Sequence, residues 1–339
     1  MGLKIKISKY LVLCLVIGLS LVANMQAQKI PEKLVRFEDP ELLTPLDSLD
    51  TYGSIYATDD RLIWYNLTFK RVHVYKLDTS IQHQIQLHEG RGPGELLSTI
   101  DLLVADDSVY LLDMNLMKMV KINIETEEAN DIRLDSGPNG RFRNIGKNFY
   151  FWNIISPDVV LTHTNFEENK SLPINHTGIN ILKDIPSIFD RAGYLRVNGT
   201  KLYFITKYTP NIYVFDAGRK RFERKLSYDE VKVVQDRTIK MDDGSTMSLP
   251  PAKVEVLLSD FATIPQKPNS LFILARGKTK TRRYETDKLY EFDVNTAKMA
   301  KIHELGFKAN HVAANGNHLF VYSKEGGGIY RYNIVITHP

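Results

Sequence analysis

Apolar residues along this chain fall mostly in short runs, broken by turn formers before they reach helical length. Six of these runs share an apolar-aromatic tetrad: LIWY (62–65), VYLL (109–112), FYFW (149–152), LYFI (202–205), LFIL (271–274) and LFVY (319–322). A second run follows each tetrad and ends in Asp or Asn. These are VYKLD, MVKIN, LTHTN, IYVFD, LYEFD and IYRYN, ending at Asp78, Asn123, Asn165, Asp216, Asp293 and Asn333. Successive end-points lie 45, 42, 51, 77 and 40 residues apart. Four of these five intervals match the roughly 40–50 residues of a four-stranded propeller blade. The runs are rich in Tyr, Phe, Val and Ile, and Asn, Asp and Gly cluster at the junctions before the tetrads, which is the chemistry of strands and tight hairpins. The pattern predicts an all-β, six-bladed propeller of four-stranded antiparallel blades.

After IYRYNIVI only Thr337-His338-Pro339 remain, so the sixth blade is one strand short. The segment Lys33-Leu34-Val35-Arg36-Phe37 precedes the first blade, and it is expected to close the ring as the outer strand of blade six. Closure in this way hides an edge that would otherwise invite association. Two inter-blade links are long, 175–191 and 229–259. They read as binding loops or as short packed helices, the latter suggested by the apolar spacing of VEVLLSDF (254–261).

The stretch HEGRGPGELL (88–97) lies between the outer strand of blade one and the inner strand of blade two. A phosphate-binding loop opens a helix; here a strand follows. Gly90, Gly92, Pro93 and Gly94 therefore read as a structural crossing, with Asp113 and Asn115 as turn-fixing residues downstream. GRGPGELL followed by VYLLDMNLMKMVKI resembles an NHL repeat, with Asp113 and Asn115 matching that family's Asp and Asn. With the leader and one degenerate blade, the chain resembles the exported six-bladed β-propeller family of Bacteroidota. That resemblance implies the fold and carries no general activity.

Lys4, Lys6 and Lys9 precede an apolar run from Tyr10 to Ala23 and a short polar stretch ending at Ala27. This is the form of a secretory signal peptide over residues 1–27, leaving 28–339 as one propeller domain. The expectation is export to the periplasm or cell exterior, with no integral membrane segment after cleavage. Removing three lysines and no acid takes the formal charge from +4 to +1, which withdraws the electrostatic case for nucleic acid. The one cysteine, Cys14, leaves with the leader, so disulfides, thiolate metal sites and a cysteine nucleophile are all excluded from the mature chain.

The loops on the face that GRGPGE borders offer cations and aromatics: Lys70, Arg71, Trp152, Lys207, Tyr208, and Arg276 and Arg283 of RGKTKTRR (276–283). Together with Arg91 and Glu95 they suit an anionic or carbohydrate-like ligand at the mouth of the channel. A local Arg91–Glu95 pair is the plainer reading of those two residues. The leading expectation is a monomeric, non-catalytic binding module without a cofactor, whose partner is a small molecule, a glycan or an envelope protein. The alternative is a metal-assisted hydrolase or lyase at the axis, resembling the zinc amidating lyase or the calcium lactonase propellers. For it the inner strands supply only Asp101, Asn144 and His311, a thin donor set for either ion.

Overall fold

The computed structural model describes residues 34–45, 53–78, 82–134, 140–154, 159–167, 170–174, 191–228, 237–249, 258–275 and 286–337. By internal packing the chain divides into two units. The smaller is Met1–Arg36 with Val335–Pro339, described only at the ends of the first and last strands. The larger, Phe37–Ile334, carries the blades.

Blade one is β2 (Gly53–Ala57), β3 (Arg61–Asn66), β4 (Arg71–Lys76) and β5 (Gln82–Gln86), and blade two is β6 (Thr99–Ala105), β7 (Ser108–Asp113), β8 (Lys118–Asn123) and β9 (Ala129–Arg133). Blade three is β10 (Gly140–Ile145), β11 (Asn148–Asn153), β12 (Leu161–Asn165) and β13 (Lys170–Ile174), and blade four is β14 (Gly193–Asn198), β15 (Lys201–Thr206), β16 (Asn211–Asp216) and β17 (Arg221–Ser227). A hairpin of β18 (Arg237–Lys240) and β19 (Thr246–Leu249) follows. Blade five is β20 (Leu258–Thr263), β21 (Ser270–Ala275), β22 (Thr286–Asp293) and β23 (Lys298–Ala309). Blade six orders β24 (His311–Ala314), β25 (His318–Ser323) and β26 (Gly328–Thr337) against β1 (Leu34–Pro45) on its outside. The expected closing strand is therefore in place, longer than the five residues read from the sequence. Within the larger unit, Glu41 of β1 accepts an ion pair from Arg331 of β26 at 2.5 Å.

Each tetrad is the second strand of its blade, and its residues are almost all buried on both faces. A second strand is sandwiched by the blades before and after it, so its sequence reads as a continuous apolar run rather than an alternation. The apolar clusters accordingly join neighbours: Ile63, Val72 and Ile85 of blade one meet Leu102, Leu111 and Val120 of blade two. Trp152 and Leu161 of blade three likewise meet Leu195, Phe204 and Phe215 of blade four. Outer strands such as β9 are mostly exposed.

The Asp or Asn at the end of several third strands has a local task. Asn123 Oδ1 accepts the amides of Glu125 and Thr126 at 2.9 Å, and Asp216 and Asp293 accept those of Arg219 and Thr296 at 2.9 and 2.6 Å. The repeated signal is thus a turn cap. The helical reading of 254–261 is corrected: residues 258–261 begin β20, and Leu258 and Phe261 are core residues. Residues 254–257 and 175–190 lie outside the described residues.

Candidate functional site

Successive side chains on a strand point to opposite faces, and on the inner strands those faces are the inter-blade core and the axis. Phe142, Leu195 and Phe261 go into the core. Their neighbours Arg141, Arg143, Tyr194, Arg196 and Asp260 meet instead in a polar cluster with Tyr56, Asp101 and His311. Every inner strand contributes at least one member, because each blade begins at the axis.

The cluster bridges the blades in sequence. Tyr56 Oη donates to Asp101 Oδ1 at 3.1 Å, and Arg143 Nη1 donates to Asp101 Oδ2 at 2.7 Å. Arg141 Nη1 lies 3.4 Å from Asp101 Oδ1 and donates to the Ile100 carbonyl at 2.7 Å, while its Nε reaches the Gly193 carbonyl at 3.2 Å. Arg196 Nη2 donates to Asp260 Oδ1 at 2.8 Å. The other oxygen of Asp260 sits 3.2 Å from His311 Nδ1 and accepts the Val312 amide at 3.3 Å. Cation–π contacts complete the layer: Arg143 stands 5.4 Å over the Tyr56 ring, and Arg141 5.4 Å over Tyr194. From blade six back to blade one, Asn315 Nδ2 donates to the carbonyls of Thr58 and Asp59 at 3.1 and 3.3 Å.

Both carboxylates are fully buried, and burial alone would raise them. The guanidiniums of Arg143 and Arg141 and the Phe142 amide outweigh it at Asp101, which is held below its ordinary range. Arg196 and His311 do the same for Asp260. Burial, with Asp101 adding to it, pushes Tyr56 up to about 12, and burial with Asp260 raises Tyr194 as well. Both phenols therefore stay neutral donors at neutral pH. Three guanidiniums, of which Arg143 is buried and Arg141 and Arg196 are partly buried, face two fully buried carboxylates, a surplus of one positive charge.

A cavity of about 170 Å³ opens beside the cluster. All six inner strands line it: Tyr56, Arg143 and Arg196 provide the polar part, and Val104, Val197, Ala262, Ala313 and Ala314 much of the rest. Ala57, Val104, Val197, Thr263 and Ala314 stand at or near the C-terminal ends of their strands. The cavity therefore lies toward the end opposite the one GRGPGE borders.

That other mouth is the one at which the sequence leads one to expect a ligand. Trp152 is sealed between blades three and four, stacked on Phe204 with ring centroids 3.6 Å apart, its Nε1 donating to the Arg191 carbonyl at 3.2 Å. It offers no free face to a ligand, which corrects that expectation: the FYFW run is core because blades enclose it on both sides. Lys70 pairs with Glu89 at 2.5 Å, and Arg71 donates to Gln86 at 2.9 Å while standing over Phe69. Lys207 lies over the ring of Tyr208 next to it. Arg276 and Arg283 fall outside the described residues. On this side a crevice of about 220 Å³ between blades one and two has Lys70, Leu67, Leu87, Leu96 and Leu97 in its walls.

The glycine loop is held from within. Glu95 turns back to accept the Gly92 amide at 2.6 Å rather than pairing with Arg91, which is exposed and has no acid within ion-pair distance among the described residues. Asp113 accepts the amides of Leu97, Ser98, Asn115 and Leu116 between 2.5 and 3.0 Å. Lys118 donates to the Gly92 carbonyl at 2.9 Å and to Asp131 at 2.8 Å, and Asp131 accepts the Gly94 amide at 2.9 Å.

The metal reading of Asp101, Asn144 and His311 does not assemble. Asp101 is saturated by guanidiniums, His311 faces Asp260, and Asn144 donates to the Gly146 carbonyl at 3.1 Å in its own turn. Among the described residues no group of three or more metal-ligating side chains converges. Tyr56, Arg141, Arg143, Tyr194, Arg196 and Asp260 lie outside the donor set that the sequence suggests for a metal. The available signal was a polar residue on each side of one core residue in the strand before a tetrad, as in Arg141-Phe142-Arg143 and Tyr194-Leu195-Arg196.

The sequence profile of a family described as "6-bladed beta-propeller", DUF5128, matches residues 42–248, more than half of the chain. A search of curated proteins found no match. Among solved structures the chain is similar to a member of the DUF4221 family from Bacteroides vulgatus, at 11% identity and a TM-score of 0.55, over 92% of this chain and 100% of that one. It is also similar to a protein of unknown function from Bacteroides thetaiotaomicron, at 10% identity and 0.51, over 90% and 77%. A third likeness is to U3-55K, at 10% identity and 0.52, over 87% and 98%. At these identities the likeness is one of fold.

Proposed function

Because the chain belongs to the DUF5128 family of six-bladed β-propellers, whose description states an architecture and no reaction, we propose that it is an exported, non-catalytic binding propeller holding a small anionic ligand on its axis. One observation carries the reading: three arginines oppose two carboxylates in a buried cluster beside a cavity that all six inner strands line. A surplus cation in a largely buried site attracts an anion far more strongly than surface lysines do. Export rests on the basic, apolar and small-residue order of residues 1–27. The same contacts fasten neighbouring blades, and that fastening accounts for Asp101, Arg141 and Arg196 without a ligand. The charge surplus and the cavity are what it leaves over.

Thermal unfolding of the mature chain tests the proposal, at constant ionic strength, with acetate, butyrate, phosphate and neutral mono- and oligosaccharides as additives. Binding to the folded state raises the midpoint with ligand concentration. An anion is expected to give a saturable rise, neutral sugars none, and Arg91→Ala or Lys207→Ala no change in either. A glycan response abolished by those two variants would move the site to the glycine-loop face. Silence toward every anion would end the proposal.

A further inference from the structure

Arg143 carries more donors than the protein uses. Its side chain is about 93% buried, yet every hydrogen bond it makes among the described residues leaves from Nη1. Those bonds go to Asp101 at 2.7 Å, to the Leu102 carbonyl at 3.4 Å and to the Phe142 carbonyl. Its Nε–H and Nη2–H groups have no partner there. Arg196, the other arginine lining the cavity, commits all three nitrogens: Nε to the Phe261 carbonyl, Nη1 to the Leu195 carbonyl and Nη2 to Asp260. Neither nitrogen is fully enclosed, so both keep some accessible surface on a side chain that lines the cavity, and donors on so deeply placed a side chain that meet no protein acceptor call for an explanation. The guanidinium edge formed by Nε and Nη2 matches a carboxylate in a two-bond fork.

We infer that this edge of Arg143 seats the carboxylate of a small monocarboxylate whose short apolar tail lies along Val104, Val197, Ala262 and Ala313. The inference rests on the axial anion reading above and names its ligand class. Size limits the ligand, since about 170 Å³ is below the roughly 300 Å³ at which sites for drug-sized ligands begin. Charge limits it too: one surplus cation balances one negative charge. Geometry selects among the remaining anions. A planar carboxylate is satisfied by a fork on one side and tolerates aliphatic walls on the other, whereas a tetrahedral phosphate needs donors around it. The Tyr56 ring covers one face of the guanidinium, which leaves the in-plane approach to the ligand.

Isothermal titration of the mature protein with butyrate and, separately, inorganic phosphate distinguishes the possibilities. Arg143→Lys keeps the charge and loses the fork. Val104→Phe narrows the cavity without touching the guanidinium. ¹⁵N–¹H spectra identify the Arg143 Nε resonance by its loss in the lysine variant. Butyrate is expected to bind in preference to phosphate and to shift that resonance. Its affinity should fall about tenfold or more in Arg143→Lys and be lost in Val104→Phe. Equal binding of phosphate and butyrate, with Arg143→Lys unchanged, would overturn the carboxylate fork and leave the axial anion site standing. If neither anion binds the wild-type chain, both fall. Should Arg143→Lys fail to fold, the Arg143 Nε resonance is assigned by correlation through its own side-chain carbons, and its response to butyrate, with the loss of binding in Val104→Phe, decides between the same outcomes.

Discussion

Asp113 shows how much one side chain can organise. Fully buried, it accepts four amides, two from the start of blade two and two from its own turn. Leaving buried donors unpaired costs about 1–3 kcal/mol each, so Asp113→Ala is expected to lose at least roughly 2 kcal/mol in urea unfolding, and a loss near zero would refute this role. The glycines beside it divide their work. Only Gly94 has a left-handed backbone, at φ 75°; Gly90 and Gly92 are small because the Glu95 carboxylate occupies the space a Cβ would need. The density of glycine marked a crossing in the sequence. Which glycine bends and which makes room depended on a carboxylate folding back, a contact that spacing does not encode.

Among the elements, second strands were plainest in the sequence because burial on two sides leaves an unbroken apolar signature. Third strands were marked by the Asp or Asn that closes their apolar runs, which caps the turn after the third strand in blades two, four and five. The outer strands were fainter, since one solvated side admits almost any composition, as in β9 with AlaAsnAspIleArg. β1 is the element on which closure depends. Deleting residues 28–45 removes the outer strand of blade six and bares the edge of β26. The expected result is a fall in the unfolding midpoint of about 10 °C, together with self-association in size-exclusion chromatography through the open edge. A monomer with an unchanged midpoint would show that β1 is dispensable.

For the whole molecule the buried carboxylates set the response to acid. Burial would raise Asp101, Asp260 and Glu291, but each is held below its ordinary value: Asp101 by Arg143 and Arg141, Asp260 by Arg196 and His311, and Glu291 by His303 and Lys267. A carboxylate whose folded value lies below its unfolded one contributes stability that is complete above the unfolded value and lost as pH falls toward the folded one. With ordinary values of 3.8 for the aspartates and 4.5 for the glutamate, their contribution is constant above about pH 5.5 and declines steeply below about pH 4. Asp101→Asn is expected to cost about 3–5 kcal/mol near neutrality, because it leaves guanidiniums uncompensated, and to flatten the acid limb. An acid limb identical to wild type would remove Asp101 from this account. By itself the sequence determined the wheel of six blades and the strand that closes it, because both follow from local periodicity, turn chemistry and a count of strands. Only the tertiary structure decided which polar residues meet: Tyr56, Asp101, Arg143, Arg196, Asp260 and His311 are far apart in the chain, and each becomes a neighbour of the others only when six inner strands share one axis.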